Sequence, residues 1–370
     1  MEIEEAVRRL GLADDHRDPH WRTATQVADR TVRKADPAWL EELLTALLQV
    51  REPTYPMRYC FEAALRRLAT APGGAERVGS VHRIVTDART WGDRRREPAE
   101  YAAWTAAGQP AEHLLAFLAT ADPADEFAAC LLQEAALRGD ARRAAGFAAR
   151  LRATGHPLGG LPLRRTPAER GHGLPQYPGL PAPDRPDPGG KPVPAPGPAD
   201  LDVTATEVEW PDARRARSAI RAWVYADADC TEAGLYALDR PLEPADFGAS
   251  LLLRLDAQST APDATYRVAT GDVLTKLYYA ASGGSAYNPG LRGAYGRLAS
   301  WESLAALVGA EEAGADEREI AAIEHLADRC AWLFYTSQWH IQTHPSMDVG
   351  IAVLRPDHRT VAILAATDSD

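Results

Sequence analysis

Apolar residues in the first 156 positions recur at helical spacing. Leu40, Leu43, Leu44, Leu47 and Leu48 follow i, i+3, i+4, i+7, i+8, and Asp36-Pro37 supply an N-cap and a first-turn proline. A helix is predicted there. Phe61, Ala64, Leu65 and Leu68 repeat the spacing, and Val78, Val81 and Val85 mark another helix after the Pro72-Gly73-Gly74 break. Asp122-Pro123 is predicted to start a helix bearing Phe127, Cys130 and Leu131, and Gly139-Asp140 to turn into one bearing Ala144, Phe147, Ala148 and Leu151. Short turns between such helices favour antiparallel neighbours, stacked as a degenerate solenoid of armadillo or tetratricopeptide kind or as a bundle. No fixed repeat period emerges.

The pattern stops at Pro157. Between 157 and 198 lie thirteen of the chain's 28 prolines and eight glycines. So many missing N–H donors and so little to bury predict an extended, mobile linker. Its Pro192-Val193-Pro194-Ala195-Pro196 run reads as a semi-rigid spacer more readily than as a polyproline ligand.

Beyond the linker, short β-like runs alternate with helices. Strands are predicted at 203–209, 235–238, 332–336, 349–354 and 360–366, and helices at 211–223, 243–255, 270–281, 294–308 and 320–330. The last two strands flank the polar turn Arg355-Pro356-Asp357-His358-Arg359, which reads as a hairpin. The expected organisation is an all-α region at 1–156, a Pro/Gly-rich linker at 157–198, and an α+β domain at 199–370 with a mainly antiparallel sheet.

Length and composition agree with this division. A chain of 370 residues exceeds what one core usually serves, and 45% hydrophobic with 25% charged residues is ordinary globular composition. Charge is uneven. Residues 1–156 hold 22 Lys/Arg against 23 Asp/Glu, the linker 5 against 3, and residues 199–370 hold 14 against 26, a net of −12. Such an acidic surface repels phosphate backbones, so nucleic acid is not an expected partner, and either a basic protein partner or plain solubility fits the charge better.

The cysteines Cys60, Cys130, Cys230 and Cys330 form neither a C-x-x-C pair nor a disulfide framework, which suits a reducing compartment. The acidic start Met1-Glu2-Ile3-Glu4-Glu5 lacks the features of a signal peptide, and no apolar run reaches bilayer length. A cytoplasmic protein away from membranes is expected, with oligomeric state left open.

One stretch of the acidic half stands apart: Ser282-Gly283-Gly284-Ser285-Ala286-Tyr287-Asn288-Pro289-Gly290-Leu291-Arg292-Gly293-Ala294-Tyr295-Gly296-Arg297. Its glycines let backbone approach a ligand, and a following helix N-terminus presents free N–H groups to anions. The candidate ligand-binding residues are therefore Ser282, Gly283, Gly284, Tyr287, Asn288, Arg292, Gly293, Tyr295, Gly296 and Arg297, with Arg292 and Arg297 as cations and Tyr287 and Tyr295 as stacking faces. No nucleotide-binding motif is present. The plainer reading is a helix-to-helix turn whose tyrosines pack on the core.

This segment carries a resemblance. Gly-Ala-Tyr-Gly-Arg-Leu-Ala-Ser-Trp at 293–301, within the run 282–307, and Ala-Ala-Thr-Asp-Ser-Asp at 365–370 resemble an actinobacterial family of unknown function. The resemblance covers mainly 210–370 and more weakly the helical half. It implies that the loop and the C-terminus are family features and brings no catalytic residue with it.

Other constellations are weaker. His340, His344 and Asp348 have the i, i+4, i+8 spacing of helical metal ligands, but Pro345 argues against that helix. His16 and His20 enclose Pro19 in the same way. His82, on an apolar face, reads as a packed, hydrogen-bonded histidine, and Trp301 and Trp332 as core aromatics. Ser282 with His340 or His344 is a conceivable nucleophile and base, without a nucleophile elbow to support it.

With no metal or cofactor motif and no assigned catalytic residue, the expectation is a non-enzymatic interaction or regulatory protein. The alternative is a small-molecule-binding or hydrolytic domain built on loop 282–297.

Overall fold

The computed structural model describes residues 1–13, 17–88, 98–139, 141–171, 193–223, 230–260, 262–284, 289–311, 316–340 and 348–367. Contact density divides the chain into two compact units, Met1–Leu151 and Arg152–Asp370.

The first unit is built from α1 (Ile3–Leu10), α2 (Trp21–Gln26), α3 (Pro37–Leu48), α4 (Tyr55–Thr70), α5 (Ala75–Asp87), α6 (Pro98–Gly108), α7 (Ala111–Thr120), α8 (Glu126–Arg138) and α9 (Ala145–Ala153). Successive helices pair, α1 with α2, α3 with α4, α5 with α6 and α7 with α8. The odd members α1, α3, α5 and α7 then touch in series, as do the even members α2, α4, α6 and α8. That is the two-layer stack of an α-solenoid without a sequence period.

Local chemistry fixes where these helices begin. Asp36 accepts a hydrogen bond from Trp39 N at 2.9 Å, with Pro37 in the first turn as the sequence predicts. Thr54 caps α4 by accepting from Met57 N, and its hydroxyl donates to Leu10 O at 3.0 Å, tying α4 to α1. The predicted start at Asp122-Pro123 is displaced: α8 is capped by Asp125, whose Oδ1 accepts from Ala128 N at 2.8 Å, while Asp122 closes a turn onto Ala124 N. At the far end of α4 the backbone of Thr70 lies so close to Gly108 that a Cβ there would stand 2.5 Å from Thr70 Cα. The Arg66 guanidinium covers the Trp104 ring at 3.9 Å from its centroid, a second link between α4 and α6.

The second unit holds α10 (Ala213–Ala216), α11 (Ala249–Leu252), α12 (Thr270–Gly283), α13 (Arg292–Val308) and α14 (Glu317–Ala327), with strands β1 (Val193–Pro194), β2 (Ala205–Val208), β3 (Thr231–Leu238), β4 (Pro262–Val268), β5 (Ala331–Ser337), β6 (Asp348–Leu354) and β7 (Thr360–Thr367). The strands form one antiparallel sheet in the order β1-β4-β5-β6-β7-β3-β2. The architecture is α+β with a helical N-terminus. β6 and β7 are joined by the Arg355–Arg359 hairpin and are buried along nearly their whole length, which explains their continuous apolar runs.

One sheet face presents Tyr236, Leu238, Leu333, Tyr335, Ala352, Leu354, Val361, Ile363 and Ala365 to a cover formed by Leu242, Phe247, Leu251, Leu252 and Leu255. On the helical layer α12 touches β5 and β6, and α13 touches β7. The hairpin serves the helical layer as well, because Arg355 donates to Leu307 O at 3.0 Å and Ala306 O at 2.9 Å, satisfying carbonyls at the C-terminus of α13.

Three predictions for this half need correction. The helix expected over 243–255 is reduced to α11, since Gly248 packs where a Cβ would sit 2.6 Å from Ala195 O and Gly197 N. The helix expected over 211–223 is reduced to α10 and a 3-10 turn at Ser218–Ile220. Strand β4, which the sequence reading left out, pairs with β5 from Pro262 to Val268.

The stretch predicted as an extended linker is in part packed. Leu158, Gly159, Gly160 and Leu161 are buried, and 3-10 turns form at Pro157–Gly160 and Ala168–Gly171. Positions 172–192 lie outside the described residues.

Candidate functional site

The glycine-rich segment joins α12 to α13, and backbone closure governs its described part. Leu291 N donates to Ala281 O at 2.8 Å, and Gly284 bridges Pro289. Gly290 is so close to the end of α12 that a Cβ would fall 2.2 Å from Ser282 O. Gly284 has φ 78° and Arg292 φ 62°, so the chain turns left-handed on both sides of the connection. Tyr287 and Asn288 lie outside the described residues.

Ser282 is buried, with its Cβ 2.9 Å from where a Cβ on Gly296 would stand. It is a packing residue at a close helix–helix approach. Gly293 and Gly296 are buried on α13, Arg292 and Tyr295 are half-buried, and Gly283 is exposed. The structure therefore brings Ser282, Gly290 and Gly296 together as a helix junction.

Arg297, expected to serve an anion, is fully buried and engaged by the protein. Its Nε and one terminal nitrogen donate to the two oxygens of Glu169 at 2.6 and 2.7 Å, and it also donates to Pro162 O and Arg164 O. Trp301, one turn further along α13, donates its indole N–H to Glu169 Oε1 at 3.0 Å, and Thr166 N donates to Oε2 at 2.8 Å. Four polar groups thus converge on one carboxylate and one guanidinium, the arrangement that makes a buried charge pair tolerable. The Gly-Arg-x-x-x-Trp core of the motif secures residues 162–169 to α13.

His340 also has a structural post. Ser337 N–H donates to Nδ1 at 3.1 Å, so Nδ1 is the acceptor, and Nε2 donates to Val349 O at 3.0 Å. Burial holds this imidazole below its ordinary pKa, in the neutral form those bonds require. With both nitrogens committed it is unavailable as a base for Ser282. Asp348 accepts from the Thr367 hydroxyl at 2.7 Å. Burial pushes the Lys276 ammonium on α12 down to about 8, against the attraction of Asp348. His344 and His16 lie outside the described residues. Among the described residues no group of three or more His, Cys, Asp and Glu side chains is arranged to hold a metal.

In the first unit His82 packs against the rings of both Phe117 and Phe127 and bonds Asp125 Oδ2 at 2.8 Å, the packed histidine its sequence setting suggests. Burial pushes the Cys60 and Cys330 thiols up to about 12 and Cys130 well above its usual value, which keeps them unreactive.

What the first unit does present is an aromatic ledge. Tyr55 and Tyr59, one turn apart on α4, are 56% and 47% exposed, and the Trp21 ring stands 5.6 Å from that of Tyr55. The opposite side of α4 buries Cys60, Phe61, Ala64, Leu65 and Leu68, so the ledge rides on a fixed base. Beside it a groove of about 460 Å³ is lined by Glu52, Pro53, Thr54, Tyr55 and Arg58. Tyr55 and Tyr59 lie off the buried stripe that helical periodicity marks on α4. Their signal was two tyrosines at i, i+4 on the face opposite that stripe.

Fold and sites together define a helical stack followed by an antiparallel α+β unit whose distinctive motif is architectural. The chain belongs to the Family of unknown function (DUF6183), whose model matches residues 22–370. The match takes in most of the helical half as well as the segment that carried the resemblance. No curated protein and no solved structure matches the chain. Among the described residues no helix is long and apolar enough to cross a membrane.

Proposed function

We propose that this chain is a non-enzymatic interaction protein whose helical unit docks a protein partner on the ledge formed by Trp21, Tyr55 and Tyr59. The carrying observation is the exposure of two tyrosines, 56% and 47%, beside a tryptophan on a helix whose other face is immobilised in the core. Large rigid aromatics lose little side-chain entropy on binding, and with arginine they dominate the energetics of interfaces. Arg58, in the adjoining groove, adds a charged anchor. A ligand site on the glycine-rich loop gains no comparable support, since Arg297 is consumed by Glu169 and His340 by Ser337 and Val349.

The test is capture of a stoichiometric partner on the immobilised full chain at moderate salt, compared with a Tyr55→Ala/Tyr59→Ala variant of unchanged melting temperature. Loss of the partner with the variant supports the reading. Recovery of no stoichiometric partner, or equal recovery by the variant, overturns it.

A further inference from the structure

β2 is the outermost strand at one end of the described sheet, and its neighbour fixes the direction of its backbone groups. Leu238 N–H donates to Arg359 O, on the β7 side of β3. Successive residues of a strand point opposite ways, so Leu235 and Ala237 turn toward β2. Their register partners are Val208 and Thr206. The N–H and C=O groups of Ala205 and Glu207 therefore point outward, away from β3.

Beside this edge is a trough of about 400 Å³ lined by Glu207, Glu232, Gly234, Tyr236, Asp256 and Gln258. Glu207 is the register partner of Tyr236 and so shares its face. The missing side chain at Gly234 makes room for the Tyr236 ring, which a Cβ there would approach to 2.8 Å. The Tyr236 hydroxyl donates to Asp256 O, and Glu232 accepts from Gln258 N and Ser259 N. Arg217 couples electrostatically to Glu232, leaving three carboxylates against one guanidinium. Residues 200–209 add Asp200, Asp202 and Glu209 and contain no Lys or Arg, with Asp202 paired to Arg240 at 3.0 Å.

We infer that β2 accepts an extended basic peptide strand from a partner protein, pairing with the outward groups of Ala205 and Glu207 and placing a Lys or Arg side chain in the acidic trough. Strand addition at an open edge draws affinity from main-chain bonds and specificity from pockets for alternate side chains. Opposite charges across the new strand pair select the partner. A charged edge by itself only discourages pairing between copies, which here repel one another, whereas the trough is a receptacle for a cation. This goes beyond the ledge reading, since it concerns another unit and another surface.

The test is titration of the full chain with a capped peptide alternating lysine with valine and threonine, followed by fluorescence anisotropy. Binding should appear at low salt and weaken at least about tenfold in Glu207→Gln, which removes one charge of a close pair. Ala205→Pro, which removes only an outward N–H, should weaken it similarly with the melting temperature unchanged. The same peptide N-methylated at alternate residues should fail to bind, and amide exchange at Ala205 and Glu207 should slow when the unmodified peptide is present. No binding at low salt overturns the proposal, as does equal binding of the N-methylated peptide, which reduces the contact to unspecific charge attraction. Dimerisation of the free chain that is broken by Ala205→Pro also overturns it, since a second copy would then occupy the edge. Tyr55→Ala/Tyr59→Ala should leave peptide binding intact, so failure of the ledge and failure of the edge are read separately.

Discussion

Glu169 and Arg297 stand 128 residues apart in the chain and meet as a bidentate ion pair from which solvent is excluded. Removing one partner leaves a desolvated charge, whose cost exceeds any gain the pair provides. Arg297→Met or Glu169→Gln should each destabilise the second unit by about 3–5 kcal/mol, measured by urea unfolding. The double substitution should cost clearly less than the sum of the two, and additive effects would contradict the pairing.

The close approach of α12 and α13 makes a second prediction. Gly296→Ala puts a methyl group 2.9 Å from Ser282 Cβ and should cost about 1–3 kcal/mol. In α5, Gly79→Ala meets nothing within 4 Å and should stabilise by about 0.5–1 kcal/mol through helix propensity. Paired thermal denaturation of the two variants checks the contrast.

His340 predicts an acid limb to stability. Its folded pKa is lowered by burial, so the unfolded chain binds the proton more readily. The stability it contributes is complete above the ordinary value of 6.5 and is lost as pH falls through the lowered folded value. Urea midpoints measured across that range should slope less in His340→Gln than in the native chain.

Lys276 predicts a limb at the opposite end. Burial lowers its pKa from 10.5 to about 8, so between those values the unfolded chain holds a proton that the folded chain has released. Stability attributable to this group therefore rises with pH from about 8 to 10.5 and is level on either side. The native chain should show a steeper positive slope there than Lys276→Met. An equal slope would contradict the burial of the ammonium.

Short-range signals carried much of the fold into the sequence. The Leu40–Leu48 stripe with Asp36-Pro37, the hairpin at 355–359 and the long helices α12 and α13 were legible because periodicity and capping are local. α11 was not, because Gly248 is controlled by the distant backbone of Ala195 and Gly197. The candidate loop was legible as a place, while the partner of its Arg297 was not. A glycine permits close approach of a ligand or of another helix alike, and an arginine shows its counter-ion only when residues 162–169 are seen folded against it. The exposed tyrosines of α4 escaped notice for a related reason, since periodicity marks what is buried and is silent on what the opposite face offers.

Glu169 and β1 both fall inside the proline-rich stretch 157–198, and both belong to the unit Arg152–Asp370. A chain divided between Gly171 and Val193 would give two pieces, each holding part of the same interior. The N-terminal piece would carry the carboxylate that neutralises Arg297, and the C-terminal piece the whole sheet. Such halves are expected to stay together under native conditions and to separate only in denaturant. A recombinant fragment beginning at 199 would lack β1 and leave a guanidinium buried without its anion, so it would express as misfolded material unless the peptide 152–198 were supplied in trans.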